Sequence, residues 1–505
     1  MLVHEFLERS ADRLPDKIAL VSDGQRLSYA QVEAQANRLA NALRAEGVQR
    51  GDRVAFFLPN SLELAIGIFA ALKAGAVFVP INHTTKLDKC AYILNNCQAR
   101  VLITLGRQAR LVEQLLPIVL SLKTVILTSP GEVNSFNYLG YDAIQADYSE
   151  QRPSKVNIDL DLACLIYTSG STGDPKGVMS DHSNVVFAAN SITEYLGNVE
   201  SDIVLGVLPL SFDYGLYQLL MVFKFGGTLV LEKGFTFPAA ILKRITEEKV
   251  TGFPAVPTIF TVLLQLDLSP YDLSSLRYIT NTAAALPPSH IAELRAKFPT
   301  VTLFSMYGLT ETKRTLYLPP DQLEHRPGSV GLPIPGTEAW VEDESGNRLP
   351  PGAVGELVVR GRHVMRGYWQ DPVRTALRFR LNTIGDRLCY TGDLFRMDED
   401  GYFYFVARQD DMIKSRGEKV APKEVENALY GLNGVKEAAV IGVADPVFGQ
   451  AVKAFVVTDH PDLTESEVLL YCRTHLEDFM VPKYVEFCSE LPKTSTGKIK
   501  KTDLK

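Results

Sequence analysis

The sequence predicts an α/β protein with a large N-terminal domain of layered α/β sheets, a β subdomain and a small α+β C-terminal domain. Its 505 residues are too many for one hydrophobic core, and about 150 residues per domain would give two to four folding units. Strand-length apolar runs alternate with helical segments up to about Gly328, which is typical of parallel α/β layers. Beyond that residue, short strands alternate with Gly, Pro and Asp turns.

The N-terminal helices and strands can be placed in order along the chain. The segment 28–31, Ser-Tyr-Ala-Gln, is a capping-box pattern, and Val32, Leu39 and Leu43 follow at helical spacing until Gly47 ends the helix. A second helix is predicted over 62–72. Buried strands are predicted over 54–58, 76–80, 101–104, 124–127, 162–167, 204–208 and 228–231.

In the C-terminal third of the chain, the predicted secondary structure changes twice. A β subdomain is predicted over about 328–406, with strands at 340–342, 356–360 and 402–406. After the polar run 408–411 the pattern becomes mixed, with helices at 422–430 and 465–475 and strands at 438–443 and 453–457. We therefore place a domain boundary at Asp410, between a core of residues 1–409 and a C-terminal domain of residues 410–505.

Composition excludes several classes of protein. Hydrophobic residues make up 46% and charged residues 22% of the chain, and the formal charge of −7 argues against binding nucleic acid through bulk positive charge. The N-terminal residues lack the pattern of a signal peptide, and the apolar stretch 64–72 falls well short of the roughly 20 residues that span a bilayer. We expect a cytoplasmic protein with no nucleic-acid or membrane partner. Its six cysteines form no CxxC pair and are expected to be reduced thiols.

The segment 167–178, Tyr-Thr-Ser-Gly-Ser-Thr-Gly-Asp-Pro-Lys-Gly-Val, places glycines, hydroxyls and a lysine behind a predicted strand. Glycines let backbone N–H groups turn toward an anion, the hydroxyls add donors and Lys176 adds positive charge. The segment is not the GxxxxGK[ST] nucleotide loop, because Gly177 follows Lys176. Its residues indicate phosphate binding, although a Ser/Gly-rich run is also typical of an ordinary surface loop.

The ordered string in 168–178 resembles the phosphate-loop signature of the adenylate-forming (AMP-binding) enzymes, a superfamily that includes acyl-CoA synthetases, amino-acid adenylation domains and firefly luciferase. Further segments, spread over nearly the whole chain, are similar to other motifs of that family. They are Ala-Leu-Lys-Ala-Gly-Ala-Val-Phe-Val-Pro (71–80), Tyr-Gly-Leu-Thr-Glu (307–311), Thr-Gly-Asp (391–393), Lys-Ser-Arg-Gly (414–417) with Pro-Lys-Glu-Val-Glu (422–426), and Pro-Lys-Thr-Ser-Thr-Gly-Lys (492–498).

The resemblance implies an AMP-forming ligase that joins a carboxylate to the α-phosphate of ATP, with Mg²⁺ on the departing pyrophosphate. Bringing two anions together requires positive charge, and by resemblance Lys498 would bridge the carboxylate and the α-phosphate. Thr310 would contact the α-phosphate, and Glu311 would bind Mg²⁺. Tyr307 would stack on adenine, and Asp393 would accept hydrogen bonds from the ribose hydroxyls. The other nucleotide-binding residues implied are Thr168, Ser169, Gly170, Ser171, Thr172, Gly173, Lys176 and Arg408.

Without the motifs, the same residues have structural interpretations. Lys498 would be a solvated tail lysine, 310–311 a helix cap and Asp393 a turn residue. Two positions also depart from the family pattern. Ala407 stands where a glycine usually precedes the hinge arginine, and Thr282 stands where the adenine-flanking segment usually has a glycine. These departures put the fine geometry near the ribose and adenine in doubt, but not the reaction.

The substrate pocket is predicted in 208–215, Leu-Pro-Leu-Ser-Phe-Asp-Tyr-Gly. An aspartate on a pocket wall is costly to desolvate unless a cation meets it, so Asp213 favours a substrate with an ammonium group. By resemblance it matches the aspartate that binds the α-amino group in amino-acid adenylation domains. Phe212 would gate the pocket, and Tyr214 and Tyr217 would favour a small side chain, with L-proline as the best guess. Alternatively, Asp213 caps the following helix, and discrete acyl-CoA ligases also have similar segments.

By resemblance, the small domain would rotate about Asp410 after adenylation, and Lys414 and Gly417 would line a tunnel for a pantetheine thiol. No carrier domain follows Gly497, so the thiol is expected on a separate carrier protein or on coenzyme A. The leading hypothesis is a free-standing amino-acid ligase that loads a carrier protein in nonribosomal peptide or other secondary-metabolite biosynthesis. The alternatives are an acyl-CoA synthetase for a small acid and a nucleotide-binding pseudoenzyme, against which the complete set of charged motif residues argues.

Overall fold

The computed structural model describes residues 1–129, 136–170, 173–282, 286–415, 418–445, 449–494 and 497–505, without the side chains of 169, 174, 414 and 419. Within these residues the chain forms three β-sheets flanked by helices. This arrangement confirms the predicted α/β class, with a large N-terminal part and a smaller C-terminal one. No helix in the described part of the chain is both long and apolar enough to cross a bilayer.

The helices are short to medium in length and lie mostly between successive strands, as parallel sheets require. The α-helices are Glu5–Arg13, Tyr29–Ala45, Leu62–Ala74, Leu87–Asn96, Ala109–Leu115, Tyr141–Asp147, His182–Tyr195, Asp213–Phe225, Pro238–Glu248, Pro257–Gln265, Pro288–Lys297, Pro372–Arg378, Pro422–Tyr430 and Glu465–His475. Single 3₁₀ turns cover Gly106–Gln108, Pro320–Gln322, Gln409–Asp411 and Lys501–Asp503.

The first sheet is parallel except at one edge, where an antiparallel hairpin carries the glycine-rich segment. Its strands, in spatial order, are Leu139–Gly140, Thr124–Leu127, Ala99–Thr104, Arg53–Phe57, Val77–Pro80, Leu162–Gly170 and Gly173–Asp181. Strands buried on both faces read as continuous apolar runs, which is why the sequence located them well.

The second sheet begins with a parallel block and continues into antiparallel strands that form the β subdomain. The strands of the block are Ile18–Ser22, Ile203–Gly206, Thr228–Leu231, Gly252–Ala255, Tyr278–Asn281 and Thr302–Tyr307, with Gln25–Ser28 antiparallel at the edge. The antiparallel part comprises Leu316–Leu318, Ser329–Pro333, Thr337–Glu342, Val354–Gly361, Phe379–Leu381, Arg387–Met397 and Phe403–Arg408.

The third sheet and its own apolar core lie C-terminal to the Gln409–Asp411 turn. Its strands are Ile413–Ser415, Glu418–Val420, Val435–Asp445, Gly449–Thr458 and Tyr484–Phe487. The helices Pro422–Tyr430 and Glu465–His475 contribute Val425, Leu429 and Val468 to that core. The position of this separate core agrees with a boundary near Asp410, which itself stays a prediction.

Local sequence rules account for several element ends. The Ser28 hydroxyl accepts a hydrogen bond from the Gln31 backbone N–H, and the Gln31 side chain accepts one from the Ser28 N–H, as the capping-box pattern predicts. The helix starting at Asp213 has no side-chain cap. Asp213 therefore does not cap this helix through its side chain, which removes one structural explanation for that residue.

Candidate active site

A hydrogen-bonded group of three side chains joins the end of the parallel block to the β subdomain. The Tyr307 hydroxyl donates to Asp393 Oδ2 at 2.6 Å, and Arg408 Nε donates to Asp393 Oδ1 at 3.1 Å. Asp393 and Arg408 are opposite each other on adjacent antiparallel strands, so the sheet register sets their contact. Burial raises the pKa of the Asp393 carboxyl, while Arg408 and Tyr307 act against that shift. The structure thus brings together three of the residues predicted to bind the nucleoside.

Glu311, the expected Mg²⁺ ligand, lies beside the residue predicted to bind phosphate. The Tyr368 hydroxyl donates a hydrogen bond to Glu311 Oε1 at 2.6 Å, and the Lys176 ammonium lies 5.4 Å from the centre of the Tyr368 ring. Burial lowers the pKa of the Lys176 ammonium, and Arg374 adds to that shift. Thr310 precedes Glu311 in a half-buried turn. Lysine and carboxylate therefore border one site, as binding of a metal–phosphate complex requires.

Arg378 is a functional candidate that the sequence analysis missed. It ends the helix Pro372–Arg378, and Glu311 and Asp393 are among the acidic groups that raise the pKa of its guanidinium against the effect of burial. Its Nε has no hydrogen-bond partner among the described residues. Gly392 has a φ of +66°, and a Cβ added there would lie 2.4 Å from Arg378 Nη1. The glycine of the Thr-Gly-Asp motif thus leaves room for this half-buried cation.

The C-terminal domain delivers Lys498 to the same cleft. Its loop packs against the large domain, because a Cβ added at Gly497 would lie 2.7 Å from Thr258 Oγ1. The loop is closed by the Lys498 N–H, which donates to Thr494 Oγ1 at 3.1 Å. Lys498 is exposed, yet desolvation at the cleft lowers the pKa of its ammonium, while Asp213 and other carboxylates oppose that shift. The structure therefore places this lysine beside the carboxylates of the cleft with part of its side chain in solvent.

The glycine-rich segment is more regular than the loop predicted from its sequence. The strand Leu162–Gly170 pairs with Gly173–Asp181, and Thr168 is opposite Lys176. Because both flanking strands lie in the sheet, their position is set by backbone hydrogen bonds. Ser171, Thr172 and the Ser169 side chain lie outside the described residues, and the phosphate contacts predicted for Ser169, Gly170, Ser171, Thr172 and Gly173 stay predictions.

The predicted substrate pocket contains a cation from within the chain. Asp213 is the first residue of the helix Asp213–Phe225 and is 5% exposed, and its Oδ2 lies 3.8 Å from Arg314 Nη1. Phe212 is half-buried and packs edge-to-face on Tyr214, whose hydroxyl bonds to Thr280. The cation that Asp213 needs is thus supplied by Arg314. The sequence argument for a substrate ammonium loses its main support, although the assignment itself stays a prediction.

The residues predicted for the second half-reaction are only partly described. Asp410 lies exposed in the 3₁₀ turn Gln409–Asp411, which directly follows the strand that carries Arg408. Gly417 and the Lys414 side chain lie outside the described residues. The hinge and the thiol tunnel therefore stay predictions.

The site fits ATP and Mg²⁺ by the chemistry of its side chains. Among the described residues, no group of three or more His, Cys, Asp or Glu side chains could hold a metal ion without other ligands. Mg²⁺ typically takes one or two protein carboxylates together with phosphate oxygens, and Glu311 is placed to supply one. The half-buried Arg378 guanidinium and Lys176 would then face the phosphates. The six cysteines are free thiols, five of them buried.

The fold and the site together define an enzyme that activates carboxylates with ATP. Sequence comparison gives the same result. The AMP-binding enzyme family matches residues 7–369, and the AMP-binding enzyme C-terminal domain matches residues 424–498. The chain belongs to the AMP-binding enzyme family and is an AMP-forming ligase that uses ATP and Mg²⁺.

Named relatives match along their whole length. A feruloyl-CoA synthase from Amycolatopsis sp is 36% identical over 98% of this chain and 97% of its own length. A long-chain-fatty-acid–CoA ligase from Bacillus subtilis is 34% identical over 98% of this chain and 93% of its own. The structure of ATP-bound MatB from Rhodopseudomonas palustris superposes with a TM-score of 0.90 at 31% identity, over 100% of this chain and 98% of that one. The apo form of MatB gives 0.82, so this chain is more similar to the ATP-bound arrangement.

Proposed function

We propose that this enzyme converts a carboxylic acid to its acyl-AMP and then transfers the acyl group to the thiol of coenzyme A. The observation that carries the proposal is the meeting of Lys498, from the small domain, with the cleft of Glu311, Asp393 and Arg378 in the large domain. Adenylation needs cations where the carboxylate approaches the α-phosphate, and this arrangement supplies them. Coenzyme A is favoured as the acceptor because the named relatives are CoA ligases and synthases.

The test separates the two half-reactions. Purified protein with ATP and Mg²⁺ is given a panel of carboxylic acids, and acid-dependent ATP–pyrophosphate exchange identifies the substrate. Coenzyme A or a phosphopantetheinylated carrier protein is then added, and the thioester is detected by mass spectrometry. We expect exchange with at least one acid and a thioester of coenzyme A. Thioester on the carrier protein alone would overturn coenzyme A as the acceptor but leave adenylation in place.

An amino acid is a second candidate substrate, with the carrier protein as its acceptor. It is favoured because the Asp213 carboxylate accepts no hydrogen bond from the described residues and has only the 3.8 Å ion pair with Arg314. A desolvated carboxylate with free acceptor capacity can bind an ammonium group. The test compares ATP–pyrophosphate exchange with proline and with cyclopentanecarboxylate, which have similar shapes but differ in charge.

If Asp213 binds the ammonium group of the substrate, the wild-type enzyme should prefer proline to cyclopentanecarboxylate, and Asp213→Asn should reverse that preference. Equal use of both compounds by wild type and variant would reject this candidate.

A further inference from the structure

Two adjacent cations are enclosed beside the predicted substrate pocket. Lys313 and Arg314 follow the Tyr-Gly-Leu-Thr-Glu motif by two and three residues and are only 1% and 2% exposed. The Arg314 guanidinium stacks 4.3 Å from the centre of the Tyr214 ring, and the Lys313 ammonium lies 5.7 Å from the centre of the Tyr217 ring. Both rings belong to the helix Asp213–Phe225.

The hydrogen-bond groups of this cluster are incompletely satisfied. Lys313 Nζ, Arg314 Nε and Nη2, and the Tyr217 hydroxyl are buried without a hydrogen-bond partner in the part of the chain that the structure describes. All four can donate, and the lysine and arginine groups can only donate. Buried donors, above all charged ones, are normally paired. Among the residues that the structure describes, no acceptor pairs with these four donors.

The nearby carboxylates do not satisfy these donors. Asp213 forms an ion pair with Arg314 Nη1 at 3.8 Å, too long for a hydrogen bond. Asp181 also influences Tyr217, but it caps the helix His182–Tyr195, where it accepts hydrogen bonds from Asn184 and Ser183. In the part of the chain that the structure describes, neither carboxylate accepts a hydrogen bond from Lys313 or from the unpaired Arg314 nitrogens. A carboxylate group from a ligand would offer four lone-pair positions to these donors.

We propose that Lys313, Arg314 and Tyr217 form a subsite for a second carboxylate, so that the acid activated by this enzyme is a dicarboxylate. This inference rests on the proposed function, since the reacting carboxylate must be the one that faces Lys498. The unpaired nitrogens have almost no accessible surface, so the Lys313 and Tyr217 side chains must move apart to admit the group. The flexible lysine stem permits that movement.

The experiment uses matched acids with the full-length enzyme. Unbranched dicarboxylates from malonate to azelate, and terephthalate, are each compared by pyrophosphate exchange with the monocarboxylate of the same carbon skeleton. Wild type should favour one dicarboxylate over its monocarboxylate partner by about a hundredfold or more in kcat/KM, because buried polar groups left unpaired by the monoacid oppose its binding. Equal or better use of the monoacids by an otherwise active enzyme would overturn the subsite but not the proposed function. If none of the acids supports pyrophosphate exchange, both the subsite and the proposed function are overturned.

Variants of Lys313 test whether the preference for dicarboxylates depends on this cluster. Lys313→Met keeps an unbranched side chain, one atom shorter, and removes its charge, and we expect it to reduce the dicarboxylate-to-monocarboxylate ratio of kcat/KM at least tenfold. Lys313→Arg should retain most of the ratio. Lys243→Met, which removes an exposed charge, is the matched control and should keep the wild-type ratio. A wild-type ratio in Lys313→Met would contradict the assignment.

A binding measurement on wild type covers the case in which Lys313→Met does not fold. The favoured dicarboxylate should then raise the melting temperature in the presence of ATP analogue and Mg²⁺ more than the monoacid does. An equal or smaller rise would overturn the subsite.

Discussion

At the scale of single residues, the sequence predicts residues that belong to motifs, but not the residues outside the motifs that contact them in the fold. Lys498, Glu311 and Asp393 were placed by ordered sequence strings, and the structure brings them to one cleft. Arg378 lies at the end of a short helix, and no local pattern distinguishes it from an exposed arginine. The need of Asp213 for a cation was recognised correctly, but sequence alone could not show that Arg314 supplies it, because that contact is made by the tertiary fold.

Arg378 gives a prediction for nucleotide binding. Arg378→Ala should raise the KM for ATP at least about tenfold, because a cation facing phosphates forms charge-assisted hydrogen bonds that alanine cannot replace. The KM for the acid should change much less, which a general loss of structure would not produce. Arg380→Ala, on the neighbouring strand and exposed, is the control and should leave both KM values near wild type. An unchanged KM for ATP in Arg378→Ala would mean that this arginine does not contribute to ATP binding.

At the scale of elements, the sequence located four of the helices and about half of the strands, and it did so where their boundaries have local causes. The helices Pro422–Tyr430 and Glu465–His475 and the strands Thr124–Leu127 and Thr228–Leu231 have the predicted ends. Proline at the first helical position and a Thr464 capping box define the two helix starts. The segment 167–178 was less predictable, because its flanks are held in strands by cross-strand pairing rather than by residue type.

The turn between the two domains carries a prediction about the second half-reaction. Asp410→Pro should restrict rotation about the backbone at the expected hinge. Acid-dependent pyrophosphate exchange should remain within about threefold of wild type, because the structure already has Lys498 in the cleft. Thioester formation should fall by at least tenfold. A similar loss of both activities would place the hinge elsewhere or indicate misfolding.

At the scale of the whole molecule, buried histidines link stability to pH. Burial lowers the pKa values of His4, His182 and His363 to about 3, from the ordinary value of 6.5. Between these values the unfolded chain binds protons that the folded chain does not, so stability is lost as pH falls below 6.5. Each histidine contributes a slope of about 1.4 kcal/mol per pH unit well inside that window.

The prediction is a melting temperature that decreases steadily from pH 7 to pH 5. His363 is fully buried and stacks on Phe187, so His363→Phe should remove about a third of the contribution of these three histidines to the slope without leaving a cavity. His325→Gln, at an exposed position, should leave the slope unchanged. Identical slopes in wild type and His363→Phe would mean that this histidine is protonated in the folded state.

The whole-molecule arrangement also makes the central claim testable, because one residue of the small domain completes the site in the large domain. Lys498→Ala should reduce acid-dependent ATP–pyrophosphate exchange about a hundredfold, the loss of about 3 kcal/mol of electrostatic stabilisation. Lys500→Ala, two residues away and paired with Asp503, should have near-normal exchange. Thioester formation from supplied acyl-AMP should survive in both variants. Wild-type exchange in Lys498→Ala would contradict the account of how this enzyme activates its substrate.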